Sequence, residues 1–413
     1  MLSRSATNVT STAKWLSVVG IGEDGVAGLG DRARRLIAEA EIVFGGKRHL
    51  ALAESLIEGE ARAWPTPFDA SMQAVCELSG RKVCVLASGD PYFFGVGATL
   101  SRVVPAEEMV VVPSPSSFSL AASRLGWPLQ DIDTVSLHGR SIDLVRPLLH
   151  PGRRIIALTS DDAGPGEIAS LLAASGFGQS KLTVMEALGG PDENIRVSMA
   201  DTFNFTDIQP LNVVAIEVAA SLEARVLPLT PGLDDDLFEH DGQITKREIR
   251  ALTLSSLAPR RGELLWDIGA GSGSIGIEWM LADPSMRAIA IETNTGRVAR
   301  IRRNAAACGV PDLKIIAGSA PQALDELPDP DAIFVGGGGS APGVMEAAIS
   351  RLPTSGRLVA NAVTLEMEAV LLAHHARLGG NLFRIAVTRA EPVGTMSGWR
   401  SAMPVTQWVW TKP

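Results

Sequence analysis

Short apolar runs rich in Val, Ile and Leu alternate along the chain with segments of helical period, and most of these runs stop at a Gly, Ser or Pro. Such alternation is the βαβα pattern of an α/β protein. In the first half it predicts strands at 15–19, 82–87, 108–112, 134–137, 153–159, 181–186 and 213–217. The pattern lapses between Ala219 and Gln243, where Pro228, Pro231 and Gly232 precede the acidic run Asp234-Asp235-Asp236. A boundary is therefore expected near residue 225, giving a tail over 1–13, a first domain over 14–220, a linker over 221–231 and a second domain over 232–413. The second half restarts with a predicted helix over 245–257 and strands at 263–268, 287–291, 313–316, 332–335 and 357–361, with two more near the C-terminus. Length agrees, because 413 residues exceed what one hydrophobic core usually organises.

Composition narrows the class. Hydrophobic residues make up 46% and charged residues 20%, which describes a globular chain with ample core. The Ser- and Thr-rich stretch Met1–Thr12 lacks the apolar segment of a secretory signal, and no apolar run reaches the roughly 18 residues of a membrane span. A cytoplasmic protein without a membrane partner is expected. Cys76, Cys84 and Cys308 are odd in number and show no CxxC spacing, which fits a reducing compartment and predicts no structural metal. A net charge of −9 argues against a nucleic-acid partner, since phosphate contacts need clustered Lys and Arg.

Candidate chemistry gathers at the ends of the predicted strands. Leu264-Leu265-Trp266-Asp267-Ile268 reads as a buried parallel strand, and Gly269-Ala270-Gly271-Ser272-Gly273 then lets helix N-terminal N–H groups approach a ligand. The same glycines also satisfy the GxGxxG spacing of dinucleotide-binding folds. A nicotinamide-dependent dehydrogenase is therefore an alternative reading. Asp267 favours S-adenosylmethionine, because a carboxylate two residues before the first glycine can meet a methionine ammonium directly or through water. Glu292 ends the next strand, where either cofactor presents its ribose hydroxyls. Gly318-Ser319-Ala320 follows the third strand beside an adenine, and Gly336 through Gly339 leave backbone open beside a methyl donor. An RNA methyltransferase is a further alternative, since one fold serves many substrates. In the first half, Gly20 and Gly22 follow the first strand, and Ser88-Gly89-Asp90-Pro91-Tyr92-Phe93-Phe94-Gly95 follows the strand at 82–87. Gly89 relaxes that loop, Pro91 fixes its own φ, and Asp90 is placed to cap the following helix.

Taken together, Gly242-Gln243-Ile244-Thr245-Lys246-Arg247-Glu248-Ile249-Arg250, the Asp267–Gly273 turn, Gly318-Ser319-Ala320, the Gly336 run and Gly394-Thr395-Met396 resemble the decarboxylating methyltransferases of the cobalamin pathway. This resemblance covers essentially the whole second half, and it implies a Rossmann-like class I methyltransferase domain. It also implies that Thr245, Gly269, Ala270, Gly271, Ser272, Gly273, Glu292 and Ala320 contact S-adenosylmethionine. Ser319 stands where that family more often has Asp. The Ser88–Gly95 loop, with Pro113-Ser114-Pro115-Ser116-Ser117, Leu137-His138-Gly139-Arg140 and Glu186-Ala187-Leu188-Gly189, resembles the tetrapyrrole methylase family over residues 14–220. That likeness implies two α/β subdomains with a second S-adenosylmethionine between them, held by Gly20, Gly22, Gly89, Asp90, Pro91, Ser116 and Ser117.

In this order the two modules resemble the fused, decarboxylating precorrin-6Y C5,15-methyltransferases of corrin-ring biosynthesis. The resemblance implies methylation at C5 by the first module, methylation at C15 with loss of the C12 acetate carboxylate by the second, and a homo-oligomeric assembly. A sulfonium donor is already activated, so alignment and water exclusion are expected to matter more than a catalytic acid or base. A corrinoid carries many carboxylates, which makes Lys246, Arg250, Arg389 and Arg400 the candidate substrate ligands. Arg297, Arg300, Arg302 and Arg303 read as a solvated helix face, and neighbouring His374 and His375 diverge too far on a helix to share a metal.

Overall fold

A computed structural model of the protein describes residues 14–65 and 70–413; the tail expected over 1–13 lies outside them. The chain divides into two compact units, Met1–Ile142 with His150–Arg225, and Asp143–Leu149 with Val226–Pro413.

The first unit holds two five-stranded sheets. One is formed by β1 (Leu16–Ile21), β2 (Ile42–Gly45), β3 (Glu60–Ala63), β4 (Val83–Ser88) and β5 (Met109–Val112), in the order β3-β2-β4-β1-β5. All its pairings are parallel. Its central strands β1 and β4 are buried almost throughout, as near-continuous apolar runs in a parallel sheet should be. The other comprises β6 (Asp133–Ser136), β7 (Arg154–Leu158), β8 (Lys181–Glu186), β9 (Asn194–Met199) and β10 (Asn212–Glu217), in the order β6-β7-β10-β8-β9. Only β6 and β7 run parallel in it. Strands β2, β3 and β9 are additional to those the hydrophobic pattern predicts. β2 is only four residues long, β3 is a largely exposed Glu-Ala-Arg-Ala edge, and β9 is an edge that leaves Ile195 and Val197 exposed.

The second unit is built on a seven-stranded sheet. Five parallel strands, β11 (Leu264–Ile268), β12 (Arg287–Glu292), β13 (Lys314–Ala317), β14 (Ala332–Val335) and β15 (Arg357–Ala362), stand in the order β13-β12-β11-β14-β15. Beyond β15 come β19 (Val405–Thr411), antiparallel to both neighbours, and β16 (Asn381–Ile385) at the edge. A separate hairpin of β17 (Thr388–Val393) and β18 (Met396–Ser401) turns at Gly394, which has φ +64°. Four strands therefore follow β15 where the pattern predicts two. Apolar side chains cover both faces of the sheet: Leu265, Ile277, Trp279 and Phe334 belong to one core, Trp266, Ile333, Leu358 and Trp408 to the other. No described helix is long and apolar enough to cross a membrane.

Trp266 is fully buried, its indole N–H donates to the Pro328 carbonyl at 3.2 Å, and the Arg351 guanidinium lies 5.1 Å from its ring centre. Trp266→Ala is expected to destabilise the second unit by about 3–5 kcal/mol through the cavity it leaves, measured as a lower denaturant midpoint.

Candidate functional site

A cleft of about 710 Å³ lies at the C-terminal ends of β11 to β15, a size typical of small-molecule sites and the position where ligands enter open α/β sheets. Gly269, Ala270 and Gly271 supply its floor, Glu292 and Thr293 one side, Ser319 and Ala320 another, and the glycines from Gly336 to Gly339 the stretch after β14. Backbone crowding explains the glycines. A Cβ on Gly269, which has φ +70°, would stand 2.3 Å from the Gly337 carbonyl oxygen, so the two loops meet only as bare backbone. Gly271, at φ +61°, faces the Gln243 carbonyl in the same way. Its N–H donates to Glu292 Oε2 at 2.9 Å, and Glu292 Oε1 accepts the Asn294 N–H at 2.9 Å, so the second strand end holds the turn of the first.

Asp267 lies directly behind this floor and is fully buried. Its Oδ2 accepts the Gly276 N–H at 3.0 Å, in the first turn of the Ser274–Leu281 helix, while Oδ1 has no partner. Burial, opposed by the Gly276 bond and reinforced by the Glu292 charge, pushes its carboxyl up to about 7. Asp267, expected as a direct ligand, is therefore not part of the cleft lining: it stands behind the Gly269–Gly271 floor with one carboxylate oxygen unbonded.

Several expected ligands have different positions. Ser272 and Gly273 do not line the cleft: the Ser272 carbonyl accepts the Asn304 amide at 2.9 Å, and a Cβ on Gly273 would strike Ile301. They shape the turn. Arg250 is no surface ligand either, because it is wholly buried under Phe238 and bonded to Glu278, Asp235 and the carbonyls of Thr245 and Leu233. The helix expected from residue 245 begins at Arg247, which leaves Thr245 and Lys246 on the cleft wall. Lys246, about half exposed, pairs with the more buried Asp235, Arg389 pairs with Glu248 with both about half exposed, and both cations line the cleft. Arg400 sits opposite Arg389 in the hairpin, pairs with Glu391 and stands outside the lining. Arg297, read as solvated, lines the cleft and pairs with Asp241 at 2.9 Å. Asn361, which the sequence does not single out, opens on it from β15.

In the first unit the strand ends also meet through backbone. Gly89 has φ +57°; its N–H donates to the Ile21 carbonyl at 3.1 Å and its carbonyl accepts the Ser114 N–H at 3.2 Å. A Cβ on Gly20 would lie 1.9 Å from that Gly89 oxygen. Asp90 does not cap the next helix. Its Oδ1 takes the Tyr92 N–H at 2.8 Å, an Asx turn that stiffens the loop, and Gly95 is the cap of Val96–Leu100. Ser116 is itself a helix cap, accepting from Ser119 N–H, and Ser117 opens that helix. At the same edge Arg48 bridges Glu23 and Ser88 and donates to His49 Nε2 at 2.8 Å; burial pulls His49 down to about 4, so its imidazole stays neutral. No apolar periodicity or motif marks these residues.

Residues 16–203 match the family described as Tetrapyrrole (Corrin/Porphyrin) Methylases, and residues 236–412 match the precorrin methyltransferase domain. A decarboxylating precorrin-6Y C(5,15)-methyltransferase from Sinorhizobium sp is 65% identical over 398 residues, 96% of either chain. One from Mycobacterium tuberculosis is 42% identical over 400 residues, covering 96% of this chain and 99% of that one. Among solved structures, the C-terminal domain of precorrin-6Y C5,15-methyltransferase from Rhodobacter capsulatus is 48% identical, with a TM-score of 0.43, and spans 45% of this chain and all of that one.

Arg250→Ala leaves Glu278 unpaired and is expected to cost about 3–5 kcal/mol in denaturant unfolding, part of which returns in the double variant with Glu278→Gln. Asp267, raised in the folded chain, costs stability increasingly as pH climbs from about 4 to about 7. Asp267→Asn should therefore raise the melting temperature of the ligand-free protein more at pH 8 than at pH 5, and an equal effect at both would contradict that sign.

A match of this identity across both modules removes the dehydrogenase and RNA-methyltransferase readings, and it makes the chain a member of the decarboxylating precorrin-6Y C5,15-methyltransferase family.

Proposed function

We propose that the two units divide the family's activity, each with its own S-adenosylmethionine: the first methylates C5 of the corrinoid, and the second methylates C15 and removes the acetate carboxylate. The observation that carries this reading is that each unit has its own bare-backbone crossing at its strand ends, Gly20 against Gly89 in the first and Gly269 against Gly337 in the second. When bound, S-adenosylmethionine supplies a methyl group already activated on a sulfonium. Asp267 lies behind the floor, so its Oδ1 can meet the ammonium only through water or a small shift of the Gly269–Gly271 turn, and Glu292 on the cleft side is the acceptor for ribose hydroxyls. Gly269, Ala270 and Gly271 leave room against the backbone, while Thr245 and Ala320 close the pocket around the donor. Lys246 and Arg389 can exchange Asp235 and Glu248 for substrate carboxylates, because both pairs are exposed enough for solvent to screen them.

In the first unit, Gly20, Gly22, Gly89, Asp90, Pro91 and the Ser116-Ser117 helix start form the corresponding cradle at the strand ends. A cytoplasmic setting fits the three free cysteines. A homo-oligomer fits the exposed Met396, Trp399 and Met403 around the β17–β18 hairpin.

Gly271→Arg, which places a side chain at a positive-φ position on the cleft floor, is expected to abolish C15 methylation and release of carbon dioxide while C5 methylation remains. Asp90→Arg should injure C5 methylation alone. Product masses from each variant read both outcomes, and loss of both activities in either folded variant would refute the division.

A further inference from the structure

Asn361 lies at the cleft end of β15, in register with Gln407 of β19. Its amide belongs to a buried hydrogen-bond chain whose directions can be assigned from the outside inward. The Thr253 hydroxyl donates to the Ile249 carbonyl at 2.8 Å, so towards the amides it can only accept. It accepts from Asn361 Nδ2 at 3.0 Å and from Gln407 Nε2 at 3.1 Å. Gln407 Nε2 gives its second N–H to Asn361 Oδ1 at 2.7 Å, and Gln407 Oε1 accepts from Ser256 at 2.9 Å. Both amides are thereby oriented. One N–H of Asn361 Nδ2 is left over, on a residue that lines the cleft.

We infer that Asn361 is a substrate-positioning residue, and that this remaining N–H donates to the carboxylate arm that leaves as carbon dioxide. Sheet order separates it from the adenosine side. β15 stands three strands from β12, which carries Glu292, or about 14 Å at a spacing of about 4.8 Å per strand, but only one strand from β14 and its glycine run. A group reaching Asn361 therefore comes from the substrate, close to where the methyl group is delivered. The lining on this side includes Val363, Met367, Val387 and Val405.

A largely apolar wall with a neutral amide donor, Thr364 and Arg389 standing further along it, suits a carboxylate that must surrender its charge. Apolar surroundings raise the energy of the anion relative to neutral carbon dioxide, and an uncharged amide aligns it without the opposing charge of an Arg or Lys that would hold the anion back. The step balances without another reagent. The bond between the arm's methylene and its carboxyl carbon breaks, and its electron pair enters the macrocycle, offsetting the methyl cation gained at C15. Carbon dioxide leaves, and a proton moves from the methylated ring carbon to the methylene, which becomes a methyl group.

This inference rests on the assignment of decarboxylation to the second unit. The test uses the full chain carrying Asn361→Ala or the nearly isosteric Asn361→Asp, the latter serving if the former does not fold. Single-turnover product masses and S-adenosylmethionine titrations are the readouts. The expected result is a fall in carbon dioxide release of about tenfold or more with a C15-methylated product that retains its carboxylate, while cofactor affinity stays within about twofold. Carbon dioxide released at the unaltered rate, or cofactor affinity falling in step with rate, would each overturn the inference. If Gly271→Arg also leaves carbon dioxide release intact, the assignment to the second unit is what fails.

Discussion

The buried pair of Arg250 and Glu278 holds the second unit's cleft in shape. Glu278 accepts the N–H groups of Gly232 and Leu233, at 2.6 and 3.0 Å, besides the Arg250 guanidinium, and Arg250 reaches back to the Leu233 and Thr245 carbonyls. One charged pair thus pins an irregular segment to two helices. From that segment come Gln243, Ile244, Thr245 and Lys246, a whole wall of the cleft. Removing two charges from water costs several kcal/mol per ion, and only this density of hydrogen bonds offsets it. A hydrophobic pair could fill the volume, but it could not hold two loop carbonyls and two loop N–H groups at once.

Across the sheet the constraint is different. Loops after β11 and β14 approach until backbone touches backbone, and Asp267 is kept with one oxygen unbonded beneath them. The first unit repeats the close approach with Gly20, Gly89 and Ser114, held by hydrogen bonds between loops. In both, the strand ends leave no room for side chains where a ligand must come near. Local stability is surrendered there and recovered in cores such as that around Trp266, Leu358 and Trp408.

Much of this was legible in the sequence because burial writes itself as apolar runs: β4, β8, β11, β12 and β14 fall within a residue or two of where hydrophobicity puts them. Edge strands were not, since β3 and β9 owe their conformation to one neighbour and carry polar residues. Glycine spacing located the turn but not which of its residues face the cleft, so Ser272 and Gly273 looked equivalent to Gly271. Arg250 shows the same limit. A helical position adjacent to a motif gives no indication whether a guanidinium meets solvent or a buried glutamate. Asn361 was invisible because its orientation depends on Thr253 and Gln407, more than 40 residues away on either side.

The position of β19 has a consequence for synthesis. Residues 405–411 do not extend the sheet at its edge; they enter between β15 and β16. Until they emerge from the ribosome, β16 has no partner and β15 keeps an open side, so the second unit's sheet closes only after β19 is made, although the first unit can fold ahead of it. Gln407 arrives with this strand, and the amide of Asn361 acquires its orientation only then. A chain cut short by ten residues would keep the entire glycine turn and still lack the strand that fixes the Asn361 amide.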